Sequence, residues 1–121
     1  MLLAVTNNPL VLEKVEHTLE VKGDPVEVLL EVRKKLQKGF KLISMPLPPN
    51  QRLFMNPYRT VVIGDSRKEK DMNGLVLVEK ALDKLRPQVF ADPGFYRDFD
   101  LLDYELTQTA LDTASFLGED L

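Results

Sequence analysis

Val5-Thr6-Asn7-Asn8-Pro9-Leu10-Val11 joins a short apolar run, Leu2 to Val5, to a segment with helical spacing. The apolar run reads as a buried strand. Pro9 fits the first position of a helix from Leu10 to His17, where an N–H would have no intrahelical partner, and Asn8 fits the cap. A strand, a tight polar turn and a capped helix form the opening unit of a wound α/β domain. In such domains ligands bind where loops leave the carboxyl ends of the strands.

Beyond this unit, Thr18 to Lys22 alternates apolar and polar residues, as a half-exposed edge strand does. Gly23-Asp24-Pro25 supplies a turn, a cap and a first-turn proline for a helix from Val26 to Lys38. Val28, Leu29, Val32 and Leu36 form its apolar stripe, and Gly39 its stop. Phe40 to Ser44 reads as a strand. Met45 to Tyr58 holds Pro46, Pro48, Pro49 and Pro57, which disfavour regular structure. Arg59 to Gly64 is a strand with the strongly β-forming core Thr60-Val61-Val62-Ile63.

Asp65 to Asn73 is a charged loop. Leu75 to Leu85 has helical spacing, although Leu75-Val76-Leu77-Val78 alone also suits a strand. Phe95, Phe99, Leu102, Leu106 and Ala110 then repeat every three or four residues, marking a last amphipathic helix. Residues 1–113 are expected to form one domain and 114–121 a frayed acidic tail.

The expected fold is α/β: a small, mainly parallel sheet of order 2-1-3-4, its last strand antiparallel, with helices on both faces in three layers. Right-handed crossovers place strand one between strands two and three. The Thr6–Pro9 turn and the start of the Met45–Tyr58 loop then rim the switch point, where a ligand is expected.

Composition narrows the chemistry. A chain of 121 residues suits a single modest core. No cysteine is present, so disulfides, thiolate catalysis and Cys-ligated metals are excluded. His17 is the sole histidine, which leaves no two-imidazole site. No apolar run is long enough for a membrane-spanning helix. Net charge is −3, unevenly placed: from Asp92 onward eight acids accompany one base, Arg97, a net of −7 that leaves the first 91 residues at +4. Either the acidic end lies across the basic body or it is a solvated face.

Several residues are candidates for a ligand site. Thr6, Asn7 and Asn8 at a helix start offer donors to an anion, or serve only as cap and turn. Arg59, at the start of a strand, holds a rigid fork suited to carboxylate or phosphate, and Tyr58 adjoins it. Leu53, Phe54 and Met55 put apolar weight on an irregular loop. They either fold over the core or form a patch for a partner. Asp98, Asp100, Asp103 and Glu105 show no calcium-loop pattern. No catalytic constellation, metal site or cofactor motif is evident, and no nucleic-acid module.

Thr6-Asn7-Asn8-Pro9-Leu10-Val11, Val32-Arg33, Lys38-Gly39-Phe40-Lys41-Leu42, Pro46-Leu47 and Asn56-Pro57-Tyr58-Arg59-Thr60-Val61-Val62-Ile63 together resemble the GrdX-like family. Met45 stands where that pattern has a histidine, and Pro48-Pro49-Asn50 where it has a Gly-Ser step. The resemblance implies a cytoplasmic accessory protein encoded beside glycine, sarcosine and betaine reductase components, not a catalytic subunit. The expected ligand is a small anionic metabolite at Thr6, Asn7, Asn8, Tyr58 and Arg59. The alternative is an adaptor whose 45–58 loop, through Leu53, Phe54 and Met55, docks on a reductase subunit or a second copy of the chain.

Overall fold

The computed structural model describes residues 1–65, 69–93 and 98–117. Four strands, β1 (Leu2–Thr6), β2 (Thr18–Glu20), β3 (Lys41–Leu42) and β4 (Thr60–Gly64), form one sheet. The helices are α1 (Pro9–Lys14), α2 (Pro25–Gln37), α3 (Met72–Leu85) and α4 (Phe99–Phe116), with a 3₁₀ turn at Gln51–Met55. Of the residues expected in the charged loop, 66–68 lie outside the described ones. So do Phe95, Arg97 and residues 118–121.

Helix starts follow a common chemistry. Asn8 Oδ1 accepts from the Leu10 N–H, Asp24 from Glu27 and Asp71 from Gly74, each satisfying a first-turn donor. Pro9 and Pro25 stand at the first helical positions of α1 and α2. Asp71 also accepts from the backbone N–H of Leu42 at 2.8 Å, tying the start of α3 to the edge strand β3. That second role begins α3 at Met72, inside the stretch expected to be loop.

The sheet order is β2-β1-β4-β3, which corrects the expected 2-1-3-4. β1 pairs with β2 in parallel and with β4 in antiparallel over five positions, Leu2 opposite Gly64 through Thr6 opposite Thr60. β3 is antiparallel to β4 and lies at the edge. The sheet is therefore mixed, and β4 is inserted between β1 and β3. The physical reason is burial. All five residues of β4 are buried, so this strand must be covered on both faces, whereas both residues of β3 are half-exposed. β1, also five residues long, gives β4 a full-length partner.

Side chains alternate across β4. Val61 and Ile63 join Val5 against Val28, Leu29, Val32 and Leu36 of α2 and Val78, Leu82 and Leu85 of α3. Val62 and Leu2 face the other way, onto Leu111 and Ala114 of α4. Helices thus cover both faces, as expected. Full burial of each of these larger side chains stabilises the fold by about 1.5–3 kcal/mol relative to exposure.

Candidate functional site

The antiparallel entry of β4 brings its first residues beside the last residues of β1. Thr6 and Thr60 face each other in register, and Asn7, Asn8 and Arg59 gather around them. α4 completes the group by turning Asp103 inward, where it is 1% exposed. The apolar repeat Leu102-Leu106-Ala110 suggests a different inner face. In the structure the buried line of α4 is Phe99, Asp103, Thr107, Leu111 and Ala114.

Asp103 is saturated with donors. Oδ1 accepts from Arg59 Nη2 at 3.2 Å and from the Thr60 N–H at 3.0 Å. Oδ2 accepts from Thr60 Oγ1 at 2.6 Å and from Asn8 Nδ2 at 3.0 Å. Those four bonds compensate much of the cost of holding a carboxylate away from water. Thr107 sits one turn on and donates its hydroxyl to the Asp103 backbone carbonyl at 2.8 Å.

The two asparagines are fully engaged within the protein. Asn7 Nδ2 donates to the carbonyls of Gly23 and Pro57, and its Oδ1 accepts from the Arg59 N–H at 2.8 Å. Asn8 Nδ2 donates to the Asp100 carbonyl and to Asp103, while Oδ1 caps α1. Each amide has two N–H bonds, so neither keeps a side-chain donor for a ligand. Thr6 is fully buried, its hydroxyl contacting Thr60 Oγ1 and accepting from the Asn8 N–H.

Tyr58 stands apart from this group. Together with Asn7, Pro57 and Phe90 it lines a shallow pocket of about 350 Å³. Its phenol is held above the usual 10.0, first by burial and then by the charge of Asp100.

Arg59 differs from all of these. It is the one buried cation among the described residues, 5% exposed. Desolvation lowers its pKa, with Asp103 acting in the opposite direction through charge and hydrogen bonding. Nη2 meets Asp103, but the buried Nε and Nη1 have no hydrogen-bond partner among the described residues. Between them these atoms carry three of the five guanidinium N–H bonds. A buried charged donor without an acceptor is costly.

Arg59 and Thr60 form part of the wall of the larger cleft, about 1070 Å³, between β3 with its following loop on one side and α4 on the other. Among the described residues, Lys41 and Lys84 are the other charged residues of the lining, and none of those residues is acidic. The cleft lies where α4 packs on Val62 through Leu111 and Ala114 while β3 stands at the open edge.

The loop residues divide. Phe54 and Leu47 pack on the larger core, and Leu53 is half-buried. Met55 is 39% exposed and Met45 63%. Among the described residues no cluster of His, Asp or Glu is placed to hold a metal ion. No helix there is long and apolar enough to cross a membrane.

The structure brings Arg59 and the Thr6–Asn8 turn together and adds Asp103, Thr60 and Thr107, which the sequence does not single out as their neighbours. The four-residue spacing Phe99, Asp103, Thr107, Leu111 was the signal that could have found them, beside a more apolar stripe that outweighed it.

Fold and site together define a mixed α/β fold in which Arg59, paired with the buried Asp103, forms part of the wall of a cleft. The GrdX-like protein family model matches residues 3–112, and the chain belongs to that family. No curated protein and no solved structure matched the chain.

Proposed function

We propose that the chain is a ligand-binding accessory protein of the glycine, sarcosine and betaine reductase system, acting in the cytoplasm. It holds an anionic metabolite in the larger cleft with Arg59 as the counter-charge. The observation that carries this reading is the buried guanidinium, its Nε and Nη1 uncommitted among the described residues, in a wall whose described residues include no acid. A carboxylate or phosphate oxygen there would accept from the free side of the fork while Asp103 holds Nη2. Asn7, Asn8 and Thr60 orient Arg59 and Asp103 rather than touch the ligand. The reading is one of binding, with no reaction assigned.

Calorimetric titration with carboxylates and phosphate monoesters tests it. The Arg59→Gln/Asp103→Asn protein, which replaces the ion pair with a neutral one, should lose at least tenfold in affinity for any anion bound by the parent. Unchanged affinity would remove Arg59 from the site.

An adaptor reading keeps one supporting observation, the exposure of Met45 and Met55 on the loop. Co-purification with reductase subunits, lost in a Met45→Ser/Met55→Ser protein, would favour it.

A further inference from the structure

The size and lining of the cleft go further than the charge of its counter-ion. A two-carbon acid has four or five non-hydrogen atoms and fills on the order of 100 Å³, taking about 30 Å³ per heavy atom as an upper figure. The cleft offers about 1070 Å³, some ten times that volume. A compact metabolite would sit at Arg59 and leave the remainder to water.

Much of that remainder is apolar, beside Lys41, Lys84 and the threonines of α4. Leu42, Ile43, Leu47 and Phe54 line it from the β3 side, and Leu106 and Ala110 from α4. All six are half-buried, so each still presents apolar surface that the two cores do not cover. On α4 the cause is the rotation that turned Asp103 and Thr107 inward: the neighbouring stripe containing Leu106 and Ala110 was left facing the cleft. One rotation therefore supplies both the acid that orients Arg59 and the apolar wall beside it.

We infer that the ligand is an amphiphilic anion, a carboxylate at Arg59 carrying an unbranched apolar chain of roughly six to ten carbons, which fills about 200–400 Å³ of the cleft. The chain lies between Leu42, Ile43 and Phe54 on one side and Leu106 and Ala110 on the other. This inference rests on the assignment of Arg59 as the anion's counter-charge. The ligand is bound as a single molecule from solution. A phosphate monoester of the same chain shares this chemistry, and the two headgroups are separated by direct comparison.

The test is calorimetry with acetate, hexanoate, decanoate and decyl phosphate, each below its micelle-forming concentration, with decyltrimethylammonium as the chain without the anion. Affinity should rise about threefold to fourfold per methylene from hexanoate to decanoate, the factor expected for burial of each CH₂. Acetate and the ammonium amphiphile should not bind measurably. Whichever of decanoate and decyl phosphate binds more tightly identifies the headgroup. Arg59→Gln/Asp103→Asn should weaken that ligand at least tenfold. Ala110→Leu, which narrows the cleft without touching the ion pair, should weaken decanoate more than hexanoate, with circular dichroism confirming that both variants are folded.

If acetate binds as tightly as decanoate and still depends on Arg59, the anion site stands and the amphiphile falls. If decyltrimethylammonium binds as well as decanoate, or no ligand responds to the Arg59 change, both the amphiphile and the anion site fall. Should the double variant fail to fold, Ala110→Leu and the headgroup comparison decide: equal weakening of all chain lengths, or no weakening, overturns the inference.

Discussion

The hydroxyl of Thr60 donates to Oδ2 of Asp103 at 2.6 Å, while the backbone N–H of the same residue meets Oδ1 at 3.0 Å. A hydroxyl has one proton, so in the 2.7 Å contact between Thr6 and Thr60 it is Thr6 that donates. Thr6 accepts in turn from the Asn8 N–H at 2.9 Å. The bonds therefore run in one direction, from the start of α1 through two strands to a carboxylate on α4, and each polarises the next.

Thr60→Val keeps the shape and removes the link to the charged acceptor. It should cost about 1.5–3 kcal/mol in urea unfolding, the range for a hydrogen bond to a charged group. Thr6→Val breaks the same relay one step earlier. The double variant should cost less than the sum of the two, with a coupling of about 0.5–3 kcal/mol. Strict additivity would show that the relay does not act as a unit.

Removing one side of the buried pair should be worse than removing both. Asp103→Leu leaves the Arg59 cation without its carboxylate and should destabilise by about 3–5 kcal/mol. Adding Arg59→Met should recover a substantial part of that loss. Denaturant titration of the three proteins checks the order. A double variant less stable than Asp103→Leu alone would show that the stranded cation is not what makes the single change costly.

Asn8 separates capping from charge. Asn8→Ala loses the cap of α1 and two ties to α4, and should cost more than the ~1 kcal/mol of an ordinary cap. Asn8→Asp keeps a capping oxygen but sets a second carboxylate against Asp103. At neutral pH it should be less stable than Asn8→Ala, and it should regain stability in acid as the new carboxyl protonates. Thermal melts across mildly acidic to neutral pH would reveal the crossing. An Asp variant as stable as the parent at neutral pH would contradict the network.

Tyr58 provides a probe at high pH. Its folded-state phenol holds its proton above 10.0, chiefly through burial. The folded state thus binds the proton more tightly than the unfolded chain. Its contribution to stability is complete below 10.0 and is lost as pH rises through the raised value. Ultraviolet difference titration against Tyr58→Phe should isolate this phenol. Asp100→Asn should lower its midpoint only in part, because the acid is the smaller cause. A return to 10.0 on that change alone would reverse the ranking.

Much of the chain was readable because its signals are local. Asn8-Pro9 and Asp24-Pro25 mark helix starts by the missing proline N–H, and both helices begin at the proline. The expected helix from Leu10 to His17 ends at Lys14 because Val15 turns extended. The expected five-residue strand from Phe40 to Ser44 keeps two residues. Past Leu42, the N–H groups of Ile43 and Ser44 both reach the carbonyl of Val62, so two residues oppose one and the regular ladder stops.

What was not readable is non-local. Chain order favoured β3 as the neighbour of β1, whereas the continuous burial of Thr60-Val61-Val62-Ile63 required a central place. In α4 an apolar count favours Leu102 and Leu106 over Asp103 and Thr107. Only the presence of Arg59, Thr60 and Asn8 across the interface makes an inward carboxylate tolerable.

The insertion of β4 also governs the order in which the protein can be made. The nearest paired residues of β1 and β4, Thr6 and Thr60, are 54 positions apart. Closing a loop of that length costs about 3–4 kcal/mol of chain entropy before the central ladder contributes anything. During synthesis, at roughly 5–20 residues per second, β1 must wait several seconds for its antiparallel partner to emerge. Through that interval one edge of an apolar strand stands open, held only to the three residues of β2. Aggregation during synthesis should therefore respond to changes in β1 and β4 far more than to changes at the rim of the cleft.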